Sequence, residues 1–394
     1  MVSVGLAHPL LGSGGSEARV MRAIEAIQED HACAVISTAA PEWDRLNRTY
    51  GTNVRADRLK VLTAPAPMPL RPLMGCDAVR GSWYARLCRS VGGQFDVPIS
   101  MYNMVDFGVP SIQCIADFCF DEGFRAEYGS YPSGWRKWLY VESPLRKGYR
   151  WLCHRISGKP SGLDPARNTY IATSAWAAGE FEKRYGLAAS VLYPPVVGGF
   201  PTVPFESRER GFVCLGRVSP EKRVEDAIEV VARLRQGGHE VHLHVVGPVQ
   251  EGSYGDRIRR LAAGHGDWVI LEGGLYGNDK KNILAHHKYG LHACRGEAFG
   301  AAVAEMVKAG CIPFAHETGG PVEVVDHPAL VYGSIEEAVA KIDAVLRAPA
   351  LEADLRTHLA GQGKLFSPER FMAGIRQAVE TFLATRGSQR EVGR

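Results

Sequence analysis

Two glutamates eight positions apart, Glu297 and Glu305, flank the run Ala298-Phe299-Gly300-Ala301 and follow a β-rich stretch. Gly296 and Gly300 interrupt any helical pattern, which puts Glu297 in a loop and Glu305 about one turn into the next helix. Free amides near Phe299, Gly300 and Ala301 would then face the same space as both carboxylates, an arrangement able to hold an anion beside vicinal hydroxyls. Taken alone, the pair also reads as a helix cap and a solvated helical residue. A second group follows another β-rich run, Gly216-Arg-Val-Ser-Pro-Glu-Lys-Arg at 216–223. Gly216 permits a tight turn, Pro220 suits the first turn of a helix, and Arg217 and Lys222 would set two cations at that helix's amino end, the makings of a diphosphate site. An ordinary solvated surface pair is the competing reading.

Such groups need a frame that ends strands where helices begin. In the second half, β-rich runs at 211–216, 241–246, 268–271, 289–293, 312–315 and 329–332 alternate with helical patterns at 224–235 and 335–346. That alternation predicts a parallel, doubly wound α/β sheet. The first half repeats it at 3–7, 32–38, 97–101, 111–115 and 169–173, with a glycine-rich turn at 12–15 and Ser16 as the expected cap of the first helix. Residues 40–95 give no clear assignment. Four prolines and two glycines within 193–210 mark a linker, so the expected division is 1–200, 201–370 and a terminal helix with tail at 371–394. Two Rossmann-like domains facing each other would bind ligand in the cleft at the carboxyl ends of their strands.

Composition excludes several classes. The 394 residues are 45% hydrophobic and 23% charged, as in an ordinary folded protein of two or three domains. A net charge of +3 is too small to imply a nucleic-acid partner. Nine scattered cysteines without a Cys-x-x-Cys pair argue for reduced thiols and against a structural zinc or a disulfide framework. With no basic amino-terminal leader and no run of 18 apolar residues, the expected location is cytoplasmic. The turn at 12–15 resembles a dinucleotide fingerprint, but Glu17 stands where a small residue is needed and the run 32–38 ends without a ribose-binding acid.

From 211 to 346 the chain resembles the donor domain of glycosyltransferase family 4, the retaining "group 1" enzymes of two-Rossmann GT-B architecture. The resemblance rests on G-R-V-S-P-E-K-R at 216–223, E-A-F-G-x4-E at 297–305 and T-G-G-x-x-E at 318–323, in order and approximate spacing. In the first half it rests on Gly14-Gly15, Y-I-A-T-S-A-W at 170–176 and V-L-Y-P-P-V at 191–196. It implies a nucleoside-diphosphate sugar as co-substrate, with no cofactor and no metal. Arg217 and Lys222 would bind the diphosphate and offset the charge that grows there as the sugar departs. Glu297 would hold hydroxyls of the transferred sugar with the Phe299 and Gly300 amides, Glu305 the ribose, and backbone near Leu275 the base. Gly14 and Gly15 would let the first domain's backbone approach the donor phosphate. Where many members carry a histidine, the stretch 111–118 has Asp117 as its only charged residue, so Asp117 is the candidate replacement.

One segment falls outside this scheme. Residues 135–159 hold seven Lys/Arg, one Glu and five aromatic residues, a pattern suited to docking on an anionic membrane face, as for a lipid-linked acceptor. A helical hairpin with solvated basic residues is the alternative. The expectation is therefore hexosyl transfer, UDP- or GDP-activated, to a hydroxyl of a glycan or lipid-linked acceptor with formation of an α-linkage. A catalytically silent sugar- or nucleotide-binding scaffold on the same fold is the rival.

Overall fold

The structure, a computed structural model, describes residues 1–12, 14–63, 77–128, 143–157 and 167–392. Its strands are short and largely buried: Val97–Ser100 (β4) and Ile112–Ile115 (β5) are buried at every position. Burial on both faces is what parallel strands covered by helices require. The first sheet adds Ser3–Ala7 (β1), Ala32–Ile36 (β2), Lys60–Leu62 (β3), Thr169–Ala172 (β6) and Ser190–Val191 (β7), in the order β3-β2-β1-β4-β5-β6-β7. The second contains Glu209–Leu215 (β8), His242–Val246 (β9), Val269–Gly273 (β10), His287–His292 (β11), Ile312–His316 (β12) and Val331–Tyr332 (β13), in the order β10-β9-β8-β11-β12-β13. All the pairings are parallel. Strand order reverses between β1 and β4 and between β8 and β11, the two switch points at which such sheets leave a crevice.

Three details differ from the sequence reading. The helix Gly15–Ile27 begins after an extended Gly14 with no side-chain cap, and the Ser16 hydroxyl donates instead to Glu17 (2.8 Å), so Ser16 sits inside the first turn. Pro220–Lys222 form a separate 3-10 turn, closed by Arg223 at φ 49°, before the helix Val224–Gln236 starts. The final β run shrinks to Val331–Tyr332 because Pro328–Leu330 take a 3-10 turn. The unassigned region contains the helices Trp43–Tyr50 and Asp77–Val91 around β3.

The second sheet is cored by side chains such as Phe212, Leu243, Tyr289 and Phe314. The first sheet's core includes Leu6, Ile24, Val35 and Ile99, and also Phe371, Ile375, Val379 and Phe382 from the helix Pro368–Val392. Arg376 of that helix donates to the Ala26 carbonyl (2.7 Å). The chain thus passes between the sheets twice, outward after β7 and back near Phe366. The two passages touch: Val196 N–H donates to the Phe366 carbonyl (2.9 Å), and the Tyr193 and Phe366 rings meet edge-on at 5.4 Å. No described helix is long and apolar enough to cross a membrane.

Candidate functional site

At the carboxyl ends of β8, β9 and β10 the backbone turns away through Gly216, Gly247 and Gly273, all at positive φ. A Cβ on Gly247 would lie 1.9 Å from the Gly216 carbonyl oxygen, so only glycine lets the two strand ends run this close. The turn after β8 brings Lys222 under Gly216, with its methylenes 3.8–3.9 Å from where a Cβ there would stand. The Lys222 ammonium bonds the Glu297 carboxylate. His292, buried at the end of β11, adds its Nε2 at 3.6 Å from Glu297 Oε2. Burial alone would raise the Glu297 pKa, but Lys222 and His292 reverse it and hold this carboxyl well below the usual range. Burial would likewise depress Lys222, and the Glu297 carboxylate overrides it upward. The pair is therefore fully ionised at neutral pH.

The loop bearing Glu297 is clamped from the next strand. Gly296 N–H donates to the Thr318 carbonyl (2.9 Å) and Gly320 N–H to the Glu297 carbonyl (2.8 Å). A Cβ on Gly319 would come 2.7 Å from the Glu297 carbonyl oxygen, which explains the paired glycines of 318–323. Gly300, at φ 91°, starts the helix Ala301–Ala309, and Phe299 is buried against Phe366 and Tyr193. Glu305, on the second turn, accepts from Lys280 (2.8–2.9 Å). Arg217 extends outward, 73% exposed, with Glu221 at 3.7 Å. Leu275 is half-buried at the mouth of the helix Gly277–His286, beside exposed Tyr276.

The first half supplies the facing wall. A Cβ on Gly15 would stand 4.0 Å from that of Ala301, so the glycine turn abuts the helix that carries Glu305. Gly14 N–H is held by the Tyr50 hydroxyl (2.8 Å), and a side chain at 14 would meet the Glu17 carboxylate. Asp117 accepts from Asn103 Nδ2 (3.0 Å), Tyr102 (3.3 Å) and the Cys119 N–H (2.9 Å), so it closes the turn after β5. Cys119 is pushed up to about 11 by burial and Asp117, with the Glu221 and Glu297 carboxylates adding from the other half. Beneath lies His8, buried at the end of β1 against Tyr102, with both ring nitrogens lacking a hydrogen-bond partner. Burial pushes its pKa down to about 4, with Glu17 opposing and Arg19 assisting.

The structure thus brings Lys222, Glu297, Phe299 and Gly300 together, with Glu305 on the adjoining helix and Gly14 and Gly15 opposite. Three participants escaped the sequence reading. Lys280 and His292 reach their glutamates only through folding, and His8 lacked any spacing signal. In the sequence Glu323 stands out only as the last residue of the 318–323 motif. It accepts from Ala175 N–H (2.8 Å), Trp176 N–H (2.6 Å) and the Tyr193 hydroxyl (3.0 Å), capping the first-half helix Ala175–Tyr185 from the second half. Ser174 adds a bond to the Ala298 carbonyl (2.5 Å). His292, Cys294 and Glu297 lie close enough together to ligate a metal, but the Lys222 ammonium already holds the carboxylate that a cation would need.

Of 135–159, only 143–157 falls within the described residues, as the helix Pro144–Ser157 and the residue before it. Leu145 and Trp151 stand exposed on it.

Comparison with known proteins bears on the family and the fold. Residues 200–364 match the family model described as glycosyl transferases group 1. A Dictyostelium discoideum protein named GDP-Man:Man(3)GlcNAc(2)-PP-Dol alpha-1,2-mannosyltransferase is 25% identical over 83% of this chain and 74% of its own length. The Mus musculus protein of that name is 26% identical over 39% of this chain, which spans only 35% of the mouse protein. Among solved structures, Anabaena Alr3699/HepE in complex with UDP and glucose aligns with a TM-score of 0.68 at 15% identity, over 97% of this chain and all of that one. WaaG, a glycosyltransferase involved in lipopolysaccharide biosynthesis, aligns with a TM-score of 0.64 at 17% identity, over 94% and 99%. Residues 200–364 thus match the model of the group 1 glycosyl transferases, and the fold of the chain is the two-Rossmann architecture of solved glycosyltransferases.

Proposed function

We propose that this glycosyltransferase moves a hexose-type sugar from a UDP- or GDP-activated donor to a hydroxyl of a glycan or lipid-linked acceptor, with retention and hence an α-linkage. The observation that carries the reading is the ionised Lys222–Glu297 pair, backed by His292, beside the free amides at the start of the helix Ala301–Ala309. In this reading Lys222 and exposed Arg217 receive the diphosphate and stabilise the charge left on it as the anomeric C–O bond breaks. The proton of the attacking hydroxyl passes to a donor phosphate oxygen, so no protein base is required. Glu297 and the Phe299 and Gly300 amides orient the sugar. Glu305, kept in place by Lys280, takes the ribose, and backbone near Leu275 takes the base. Gly14 and Gly15 admit the phosphates, and Asp117 faces the acceptor side. Neither metal nor cofactor enters this scheme.

GDP-mannose is the first donor to try, because the curated relatives are named for it, and UDP-glucose the second. A lipid-linked acceptor fits the exposed Leu145 and Trp151 on the basic helix Pro144–Ser157, as would peripheral attachment to an anionic membrane from the cytoplasmic side. Thermal unfolding with GDP, UDP, ADP and TDP, on the wild type and on Glu305→Ala, tests the donor site. One nucleotide at about a hundredfold excess over its Kd should raise Tm by about 3 °C, and Glu305→Ala should abolish the shift. No shift with any nucleotide overturns the reading. NMR of the product's anomeric configuration tests retention.

A further inference from the structure

The amino ends of the central strands of the second sheet carry a different set of chemistry-bearing residues. Glu209 opens β8, His242 opens β9 and His287 opens β11, with His244 two positions along β9 on the same face as His242. β9 and β11 flank β8, so His242 and His287 should be kept apart by the side chains of the strand between them. They are not, because β8 has Gly211 opposite His242, and a Cβ there would lie 2.1 Å from His242 Nε2. Over this gap the two imidazoles meet, Nε2 to Nε2, at 3.2 Å. Glu209 Oε2 lies 3.2 Å from His242 Nε2 and 3.8 Å from His287 Nε2. A nitrogen of His244 completes a group of four whose ligand atoms all lie within 4.8 Å of one another.

These separations have a chemical meaning. Zinc bonds to imidazole nitrogen and carboxylate oxygen run at about 2.0–2.2 Å, which in a tetrahedron places neighbouring ligand atoms about 3.4 Å apart. The three separations among Glu209, His242 and His287 bracket that value. The outer hydrogen bonds also point the lone pairs inward. His287 Nδ1 must donate to the Ile283 carbonyl (2.7 Å), since a carbonyl can only accept, which leaves Nε2 as a bare lone pair. His244 Nδ1 likewise faces the Glu272 carboxylate (2.6 Å), the acidic partner that commonly orients a zinc-bound histidine. Three neutral imidazoles and one carboxylate suit Zn²⁺, which imposes no geometry of its own. His287 is buried and Glu209 exposed, so an ion would enter past Glu209.

We propose that Glu209, His242, His244 and His287 form a tetrahedral zinc site that pins together the amino ends of β8, β9 and β11. It lies at the other end of these strands from Lys222 and Glu297, so its role is to hold the second sheet rather than to take part in transfer.

Cobalt(II), titrated into the chelator-treated full chain, tests this. One equivalent should give intense tetrahedral visible bands without a thiolate charge-transfer band, and zinc should displace it. His242→Gln and His287→Gln should each abolish the bands. Glu209→Gln, on the exposed rim where no core packing is lost, guards against misfolding and should weaken binding at least about tenfold, and Glu272→Gln should weaken it about 10–100-fold. Zinc at a hundredfold excess should raise Tm by about 3 °C. Weak octahedral bands, a thiolate band that places the ion near Cys294, or bands that survive His242→Gln or Glu209→Gln would overturn the proposal.

Discussion

Lys222 and Glu297 neutralise each other, so on the proposed reading an arriving diphosphate must draw the ammonium partly away from a carboxylate it already holds. Glu297→Gln should therefore cut transfer about a hundredfold or more, while leaving the affinity for free nucleoside diphosphate unchanged or higher. Steady-state kinetics with calorimetry of the nucleotide would separate the two, and a parallel loss of both would assign Glu297 to nucleotide binding. Asp117→Asn should lower turnover at least about tenfold with little loss of nucleotide affinity. Unchanged turnover would reduce Asp117 to the turn it closes with Cys119. His8 makes a pH prediction. Its folded pKa lies near 4, below the ordinary 6.5, so the unfolded chain takes up the proton first. Stability is complete above about pH 6.5 and falls toward pH 4, by at most about 1.4 kcal/mol per pH unit from this group. Urea unfolding at pH 7 and pH 5 should show a smaller difference in His8→Leu than in the wild type, and equal differences would refute the assignment.

Among the elements, the helix Ala175–Tyr185 is unusual in drawing part of its cap from the other half of the molecule. Its own Ser174 bonds Ala177 N–H, while Glu323 takes the N–H groups of Ala175 and Trp176. Glu323→Ala should cost about 1–2 kcal/mol in chemical denaturation, and Glu323→Gln, with one acceptor oxygen left, should fall between. What the sequence disclosed follows the same logic of locality. β1 was legible to the residue because a short, mostly apolar run is followed within a few residues by a glycine-rich turn, and the helix Val224–Gln236 because its apolar residues recur at 224, 227, 228, 231 and 234. Ser16 misled because a serine near a helix start is usually its cap, whereas here the extended Gly14 already ends the turn. The Lys280–Glu305 bond spans 25 residues and the Glu323 cap nearly 150, so no local pattern could announce either. The histidines of the second sheet were invisible for the same reason, since Gly211 acts only once β9 and β11 stand on either side of it.

At the scale of the whole molecule, the helix Pro368–Val392 belongs by sequence to the second half and by packing to the first. Phe371→Ala should cost about 3–5 kcal/mol, and limited proteolysis should then cut the first half before the second. Cleavage of both halves at the same rate would mean that the two sheets unfold as one unit. The contact between Val196 and Phe366 joins the outgoing and returning passages side by side. A single tether would let one lobe swivel and drift relative to the other, whereas two strands fastened together behave as a door hinge with one axis. Any opening about that axis would part Gly15 from Ala301, and closing would return them along the same arc. On the proposed reading, a sugar carried on one leaf would then meet the hydroxyl held on the other along one repeatable path.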